Sequence, residues 1–254
     1  MKRILSFGGG LQTTALAIMV AKGELEVDEV VFADTGAEKP ETYWYIENYI
    51  WSTHPETLKN KPIFNEIGIL FTIVRKERSS YYLPNLYDHC FNRADIPGIP
   101  VRECTVKYKA RPIKKLTTAN VSMLIGFSVD EAHRAKRKNE VRWKECRYPL
   151  IERQITASDC RSIIVSFGLP IPIKSSCYIC PFQKVIEWNW LKNNHPDLFQ
   201  KALDLEAHYH QRKPEFKDTF GLLGGTPLWK MKKGIQPEMF QLQERSCWSG
   251  HCGH

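Results

Sequence analysis

The stretch Ser6–Thr14, with the sequence SFGGGLQTT, decides the fold that we predict for this chain. The apolar run Ile4–Phe7 before its glycines is typical of a buried strand, and Leu11–Ala21 after them is compatible with a helix. Glycines at such a junction let backbone N–H groups approach phosphate oxygens, and the helix N-terminus adds about half a positive charge. The stretch therefore predicts a phosphate-binding loop, and a tight packing turn is the alternative.

The loop follows neither of two familiar phosphate-binding patterns. No Gly-Lys-Ser/Thr comes after its glycines, as a Walker loop requires, and its spacing does not match the dinucleotide-binding pattern. Threonine hydroxyls can add donors beside the backbone N–H groups. The residues that we expect to bind a nucleotide here are Ser6, Gly8, Gly9, Gly10, Gln12 and Thr13.

Strands and helices alternate along the chain beyond the loop. We predict strands at Val27–Ala33, Leu70–Val74 and Val121–Phe127, and a helix at Glu41–Ile50. This alternation favours an α/β fold, in which a parallel twisted sheet is covered by helices. Ligands of such sheets bind at the carboxyl ends of the strands, where both glycine-containing turns of this chain fall.

The second of these turns is Asp34-Thr35-Gly36. Asp34 can accept hydrogen bonds from ribose hydroxyls or an amine, and Gly36 lets the chain turn. Glu41 is placed to cap or charge the first turn of its helix, and a carboxylate with no role beyond the helix N-terminus is the alternative. We add Asp34, Thr35, Gly36 and Glu41 to the predicted nucleotide-binding residues.

Length and charge limit the class of protein. The 254 residues carry a formal charge of +8, which favours anionic partners such as nucleotides, tRNA or DNA. No run of about 18 apolar residues is present, and the sequence reaches Gly8 too soon for a secretory apolar region. We expect a cytoplasmic protein without membrane association.

The pattern changes near residue 183, where helical spacing and aromatic residues become dominant. We predict a nucleotide-binding domain over residues 1–182. Residues 183–254 are predicted to form a helical C-terminal extension that ends in a cysteine-bearing tail. Residues 78–115 combine several prolines with aromatic and basic side chains, which predicts a loop-rich functional segment.

Eight cysteines in a chain of this length, without a secretory signal, favour metal or redox chemistry over structural disulfides. Cys177 and Cys180, in the sequence CYICP, are two thiols that can hold iron or zinc in a tight turn. A coincidental pair of buried thiols is the alternative. The pair needs further ligands, and the spacing alone does not identify them.

Two motifs carry a resemblance to a known family. The loop with Ser6, Phe7 and Gln12, and the stretch Phe32–Gly36 followed by Pro40–Tyr43, resemble signatures of the phosphoadenosine phosphosulfate (PAPS) reductases. That family belongs to the PP-loop superfamily of adenine nucleotide alpha-hydrolase-like proteins, whose fold is Rossmann-like. ATP-using members of the superfamily carry an aspartate where this chain has Gln12.

Three further blocks follow in the family's order: Arg102–Pro112, Ile125–Arg134 and Tyr148–Pro170. The match therefore spans about residues 1–185. Because Lys109 and Arg134 occupy matching positions, the resemblance implies that they contact a phosphate or sulfate group of the substrate.

The resemblance also implies a third metal ligand, Cys104, because cluster-bearing relatives have a Cys-Cys pair there. This chain has Cys104-Thr105, so one ligand is missing. Three cysteines can still hold a [4Fe–4S] cluster with one open iron, as in PP-loop enzymes that thiolate tRNA. Cys160 or a tail cysteine completing the set is an alternative, and so is zinc.

The C-terminal residues Cys252-Gly253-His254 resemble a shortened form of the mobile tail that carries the nucleophile of sulfonucleotide reductases. The resemblance implies that the Cys252 thiolate attacks sulfur, with His251 or His254 lowering its pKa. No glutamate precedes Cys252, and one residue is lost before His254. Metal binding or a disulfide by Cys247 and Cys252 is the alternative.

These observations favour a sulfonucleotide reductase that acts on adenosine phosphosulfate (APS) or PAPS, with a thioredoxin-like thiol as reductant. An alternative is an ATP- and Mg²⁺-dependent iron–sulfur sulfurtransferase that thiolates tRNA or DNA. A second alternative is a nucleotide-binding redox module without catalysis.

Overall fold

The computed structural model describes residues 1–98, 103–117, 120–135, 143 and 145–231. The chain divides into two compact units that alternate along the sequence. The first, which we call the sheet unit, comprises Met1–Asp34, Lys39–Val74 and Ala110–Ser175. The second, the cysteine unit, comprises Thr35–Glu38, Arg75–Lys109 and the described residues from Ser176 onward. The predicted domain boundary after residue 182 stays a prediction.

A five-stranded parallel sheet has the strand order β3-β2-β1-β4-β5, which is Rossmann-like. Its strands are β1 (Lys2–Phe7), β2 (Glu29–Asp34), β3 (Phe71–Arg75), β4 (Val121–Ile125) and β5 (Glu145–Arg147). Every residue of β2 is buried, as expected for a strand with helices on both faces of its sheet. The structure confirms the predicted α/β fold with a parallel sheet.

The α-helices are α1 (Leu11–Ala21), α2 (Pro40–Tyr45), α3 (Pro55–Leu58), α4 (Ile63–Glu66), α5 (Leu86–Asn92), α6 (Arg111–Leu116), α7 (Ala132–Ala135), α8 (Pro149–Glu152), α9 (Ala157–Ser166), α10 (Val185–Asn194) and α11 (Pro196–Arg212). Within the described residues, two π-helices span Ile46–Ile50 and Thr105–Ala110. The 3₁₀-helices of the same part of the chain span Val129–Glu131, Pro214–Phe216 and Leu228–Lys230.

The main apolar core of the sheet unit lies around α1, where all but two residues are buried. The core residues of α1 pack with Leu5 and Phe7 of β1 and with Ile164 of α9. A helix that is apolar on nearly all sides must be covered on all sides, which explains its central position. None of the helices in the described part of the chain has the length and apolar content that a membrane crossing requires.

The predicted helix over residues 41–50 is present as α2 followed by a π-helix. Two other parts of the local structure differ from the sequence-based expectation. The segment predicted to be loop-rich contains α5, because the Asn85 side chain accepts the N–H groups of Tyr87 and Asp88 and so caps the first turn. Strand β5 was not predicted, since its three residues are short, polar and incompletely buried.

Candidate functional site

The glycine loop of the sheet unit connects β1 to α1, as predicted. Gly9 has φ +71°, and a Cβ at this position would stand 2.8 Å from Thr42 Cγ2. A Cβ on Gly10 would stand 2.8 Å from Ser175 Oγ. Side chains therefore have no room at either position, and the backbone of the loop is closely approached by Thr42 and Ser175.

The Thr13 side chain forms hydrogen bonds with the backbone of this loop. Its Oγ1 accepts the N–H groups of Gly8 and Gly10, each at 3.3 Å, and donates to the carbonyl oxygen of Gly10 at 3.1 Å. A Cβ on Gly126, next after β4, would stand 2.8 Å from Thr13 Cγ2. The threonine hydroxyl thus shapes the loop, and its predicted contact with a nucleotide stays a prediction.

The helix α1 begins at Leu11, so the first N–H groups of its backbone have no acceptor within the helix. Gln12 lies in this first turn and Ser6 lies one residue before the end of β1; both are half-buried. The N-cap residue, Gly10, has no side chain to satisfy these donors. The arrangement leaves backbone donors at the positive end of a helix for an anion.

Asp34 ends β2 and is 2% exposed. Its Oδ1 accepts a hydrogen bond of 2.6 Å from the Tyr43 hydroxyl, which holds the carboxylate in one orientation. Glu41 lies in the first turn of α2, as predicted. Next to it, Thr42 Oγ1 is buried and has no hydrogen-bond partner in the described structure.

Thr35 and Gly36 belong to the cysteine unit. Gly36 has φ +71°, and Asn85 Nδ2 donates to its carbonyl oxygen at 2.7 Å, which fixes the turn. The Thr35 hydroxyl donates to Glu38 Oε1 at 3.2 Å and lies 3.3 Å from Cys177 Sγ. The structure therefore places Thr35 beside a cysteine that we predicted as a metal ligand.

Glu38, Lys109 and Cys177 form the middle of a group that we call the cysteine centre, together with Thr35, Cys104 and Cys180. Lys109 Nζ lies 2.9 Å from Glu38 Oε1, and the Cys177 thiol lies 3.8 Å from the same oxygen. The Glu38 side chain is fully buried, whereas that of Lys109 is 37% exposed. Burial alone would lower the pKa of Lys109, but the charge of Glu38 raises it above its ordinary value.

The three cysteines predicted as metal ligands share this environment. Burial and the nearby Glu38 charge raise the pKa of Cys177 well above its ordinary value. The N–H of Cys180 donates to the carbonyl oxygen of Cys177 at 3.0 Å, so the CYICP segment makes the predicted tight turn. Lys109 interacts electrostatically with both Cys104 and Cys177. The site thus combines these thiols with one cation, Lys109, whose charge favours the thiolates of Cys104 and Cys177.

This donor set fits an iron–sulfur cluster in ligand type, since such clusters are held by cysteine thiolates. In the described part of the chain, no three His, Cys, Asp or Glu side chains are arranged around the position of a single ion. The cysteines of a cubane cluster bind separate irons, so their sulfur atoms do not need to converge on one point.

Other cysteines have different positions. Cys160 is fully buried in the apolar core of the sheet unit, where burial raises its pKa to about 12, so it is not part of the cysteine centre. Cys90 on α5 is buried in the cysteine unit, and burial together with the Cys104 thiolate raises its pKa. The predicted nucleophile Cys252 and the tail residue Cys247 lie outside the described residues.

Arg134, predicted to contact an anionic group of the substrate, lies on α7. Its guanidinium group is paired with Glu131 and stands 4.3 Å from the centre of the Phe127 ring. The second cation predicted for this role, Lys109, is paired with Glu38. Both cations therefore form an ion pair with a carboxylate of their own unit, and their predicted contact with the substrate stays a prediction.

Sequence reasoning missed a group in the cysteine unit that we call the aromatic–basic surface, in which Tyr81 is exposed and the other members are half-buried: Lys76, Tyr81, Tyr82, His89 and Arg93. Arg93 stands 4.1 Å from the centre of the Tyr81 ring, and Lys76 stands 4.4 Å from that of Tyr82. The His89 and Tyr82 rings stack with centres 5.0 Å apart. Tyr81 is 50% exposed. The basic run RKER just before a Tyr-Tyr pair was the available sequence signal.

No protein-family model and no curated protein matches the chain. Among solved structures, it is similar to the U34-tRNA thiolase NcsA from Methanococcus maripaludis with its [4Fe-4S] cluster. The TM-score is 0.42 and the identity 15%, over 93% of this chain and 82% of that one. At this level of similarity, the activity and the cluster of NcsA cannot be assigned to this chain. The resemblance to PAPS reductases stays a prediction.

Proposed function

We propose that this chain is an adenine-nucleotide-dependent sulfurtransferase that acts on a nucleic acid and holds a [4Fe–4S] cluster. The observation that carries the proposal is the cysteine centre. Two thiols, of Cys104 and Cys177, lie near a lysine that is already paired with a buried carboxylate, and Cys180 lies near Cys177 in the same unit. Lys109 interacts with Glu38 and with the thiols of Cys104 and Cys177. Its charge is therefore largely compensated and is less available to bind a sulfate group of a small substrate.

The glycine loop has the features needed to bind the phosphates of ATP. Backbone N–H groups at the start of α1 meet the anion, and Asp34 is oriented by Tyr43 for a ribose or amine donor. Transfer of the AMP group to an oxygen of a base would release pyrophosphate. A sulfide-level sulfur would then replace that oxygen and release AMP. Mg²⁺ would accompany ATP as the counterion of its phosphates.

The cluster would be held by Cys104, Cys177 and Cys180. When bound, it supplies an iron without a cysteine ligand, at which a sulfur atom can be presented. Lys109 would lower the charge repulsion among the three thiolates, and burial of Cys177 would keep water away from them.

The aromatic–basic surface supports a nucleic acid as the acceptor. The exposed ring of Tyr81 is of the kind on which an unpaired base can stack, and neighbouring cations attract phosphates. Burial and Arg93 lower the pKa of His89, so its ring is neutral near pH 7. The formal charge of +8 adds long-range attraction.

A decisive experiment incubates anaerobically reconstituted protein with ATP, Mg²⁺ and sulfide, with and without a tRNA pool or DNA. We expect AMP and pyrophosphate only when the nucleic acid is present, and a thiolated nucleoside by mass spectrometry. Tight binding of ATP without turnover on any nucleic acid would contradict the enzymatic proposal and leave a nucleotide-binding module.

The binding half of the proposal is tested by Tyr81→Ala. Loss of one stacking ring should weaken single-stranded RNA binding by about 5- to 150-fold, because base stacking on an aromatic residue contributes about 1–3 kcal/mol. Fluorescence anisotropy measures it. The matched control is Trp44→Ala, which removes an equally exposed aromatic from the sheet unit (54% exposed) and should leave the affinity unchanged. Equal losses in both variants would contradict the assignment of the surface.

A second candidate function is the sulfonucleotide reductase, which Gln12 and the Cys-Gly-His tail favour. Cys252 would attack the sulfur of APS or PAPS and release AMP or its 3′-phosphorylated form, leaving a thiosulfonate. A thioredoxin-like thiol would then release sulfite and take up the oxidation as a disulfide. Sulfite formation from either substrate, abolished by Cys252→Ser, would establish this function and overturn the sulfurtransferase.

A further inference from the structure

Two hydroxyl-bearing side chains of the sheet unit lie against the glycine loop, and both come from segments that are distant in the sequence. Thr42 Cγ2 stands 2.8 Å from the place where Gly9 would carry a Cβ, and Ser175 Oγ stands 2.8 Å from the corresponding place at Gly10. The Cβ of Ser175 also lies 3.8 Å from the Gly9 position. The two side chains therefore flank consecutive loop residues, immediately before the first turn of α1.

The Thr42 hydroxyl is buried next to this loop without a use inside the protein. The residue is 1% exposed, and its Oγ1 has no hydrogen-bond partner among the residues that the structure describes. Native proteins satisfy nearly all buried hydroxyls, because an unsatisfied one is unfavourable. A threonine in a helix has two accessible χ1 rotamers. One rotation about χ1 places Oγ1 where Cγ2 now faces Gly9, so the unsatisfied hydroxyl is a single bond rotation away from the loop.

Ser175 brings a second hydroxyl to the N-terminus of α1. The N-cap residue of this helix is Gly10, which contributes no side-chain oxygen to the first turn. A serine at an N-cap normally supplies a hydroxyl at this place. Ser175 Oγ lies beside the missing Cβ but belongs to another segment. Ser175 is half-buried, so this end of the helix is not closed off from solvent.

The loop's own threonine is already in use. Thr13 Oγ1 accepts the N–H groups of Gly8 and Gly10 and donates its proton to the Gly10 carbonyl oxygen. A hydroxyl has one proton to donate, so Thr13 keeps its place in the loop without a donor for a bound anion. Side-chain donors for an anion at this helix N-terminus therefore have to come from Thr42 and Ser175.

We propose that the hydroxyls of Thr42 and Ser175 donate hydrogen bonds to a phosphate group bound at the N-terminus of α1. The inference rests on the proposed nucleotide site and adds two side-chain ligands to its backbone N–H groups. In this arrangement the phosphate is gripped from three segments of the sheet unit: the glycine loop, α2 and the segment that ends at Ser175. The rival explanation is that both side chains only pack against the loop.

The experiment titrates the full chain with ATP, with pyrophosphate and with adenosine in an isothermal titration calorimeter. Wild type is compared with Thr42→Val, Thr42→Ser and Ser175→Ala. Valine keeps the shape of Thr42 and removes the hydroxyl, whereas serine keeps the hydroxyl and removes the methyl group. The control is Ser166→Ala, since Ser166 is an exposed serine on α9 of the same unit whose hydroxyl donates to the Ile163 carbonyl oxygen.

We expect Thr42→Val and Ser175→Ala each to weaken the binding of ATP and of pyrophosphate by about 10-fold, as for loss of a hydrogen bond to a charged group. Adenosine has no phosphate, so its affinity should stay at the wild-type value in both variants. Thr42→Ser should bind ATP as wild type does, because the hydroxyl is retained. The control should also match wild type.

The outcomes separate this inference from the proposed function. Wild-type affinity for ATP in Thr42→Val or in Ser175→Ala would overturn the proposal for that residue and leave the nucleotide site in place. Equal weakening of ATP and adenosine would assign the loss to a distorted loop, and an equal loss in Thr42→Ser and Thr42→Val would assign it to packing of the methyl group. A wild-type chain that binds neither ATP nor pyrophosphate would overturn the nucleotide site itself. Circular dichroism shows whether each variant is folded.

Discussion

The glycine loop and the cysteine centre are held by contacts of very different sequence range. In the loop, Thr13 bonds to backbone groups that are three and five positions away. In the cysteine centre, Glu38 meets Lys109 across 71 positions, and Cys177 meets Thr35 across 142. Local contacts form at little entropic cost, whereas distant ones require their whole unit to be folded. The hydrogen bonds of Thr13 that shape the loop are therefore local, whereas those of the cysteine centre require the folding of its unit.

The largest effect that we expect is the loss of nucleotide binding in Gly9→Ala. The left-handed φ costs a non-glycine residue about 1–2 kcal/mol, and the new Cβ would also collide with Thr42 Cγ2. Shifting the loop to relieve this should weaken ATP or PAPS binding by about 100-fold, or roughly 2.7 kcal/mol. Isothermal titration calorimetry measures it.

Gly23 offers a matched control for that prediction. It has the same φ of +71°, but nothing lies within 4 Å of an added Cβ. Gly23→Ala should therefore lower the unfolding free energy through backbone strain alone and leave nucleotide affinity intact. If both variants bind the nucleotide as wild type does, the glycine loop is a packing turn and not a phosphate site.

Lys109→Ala should produce the largest loss of stability among variants of the cysteine centre. It leaves the buried Glu38 charge without its cation. Breaking a fully buried pair costs about 3–5 kcal/mol; since the lysine side chain is 37% exposed, solvent screening reduces our expectation to about 1–3 kcal/mol. Urea unfolding of the metal-free protein measures the difference.

An exposed ion pair provides the comparison for Lys109. Lys59 lies 2.7 Å from Glu56, and both side chains are more than two-thirds exposed. Lys59→Ala should cost less than about 0.5 kcal/mol. The double variant Lys109→Ala with Glu38→Gln should recover part of the loss, because it removes the stranded charge. No recovery would show that Lys109 acts through packing of its stem.

The pH dependence of stability tests a third buried group, Glu206. Burial raises its pKa, although the N–H groups of Leu222 and Leu228 oppose the shift. A carboxyl with a raised folded-state pKa contributes stability that is present below its ordinary pKa and is lost as pH rises through the shifted value. Urea unfolding between pH 4 and pH 8 should show this decline in wild type, and Glu206→Gln should flatten it. An unchanged profile in the variant would assign the decline to other groups.

The same difference in sequence range explains what the sequence could predict. The glycine loop, helix α1 and the apolar strands are patterns over a few neighbouring residues, and the structure has them where we expected. Glu38 carried no sequence signal, because its importance arises from a bridge to Cys177, far along the chain. Lys109 was assigned to a substrate anion by resemblance, and only the fold shows that its partner is Glu38.

The aromatic–basic surface was missed for a related reason. Tyr81 and Tyr82 are adjacent, but the ring of His89 and the charge of Arg93 reach them through the fold of helix α5. Composition predicted a functional segment over residues 78–115 without identifying which side chains assemble. Surfaces of this kind depend on three-dimensional neighbours that a linear pattern does not contain.

The smallest effect that we expect is the stability change in Thr13→Val, which tests whether the loop is held by its own residues. Valine keeps the methyl group that faces Gly126 and removes the hydroxyl. The hydrogen bonds lost are long, at 3.1–3.3 Å, so the unfolding free energy should fall by about 1 kcal/mol. Thr117→Val, which removes a single hydroxyl bond to the Lys114 carbonyl, is the control and should cost less. A loss at Thr13 no larger than that of Thr117→Val would contradict the view that the hydroxyl of Thr13 holds the loop.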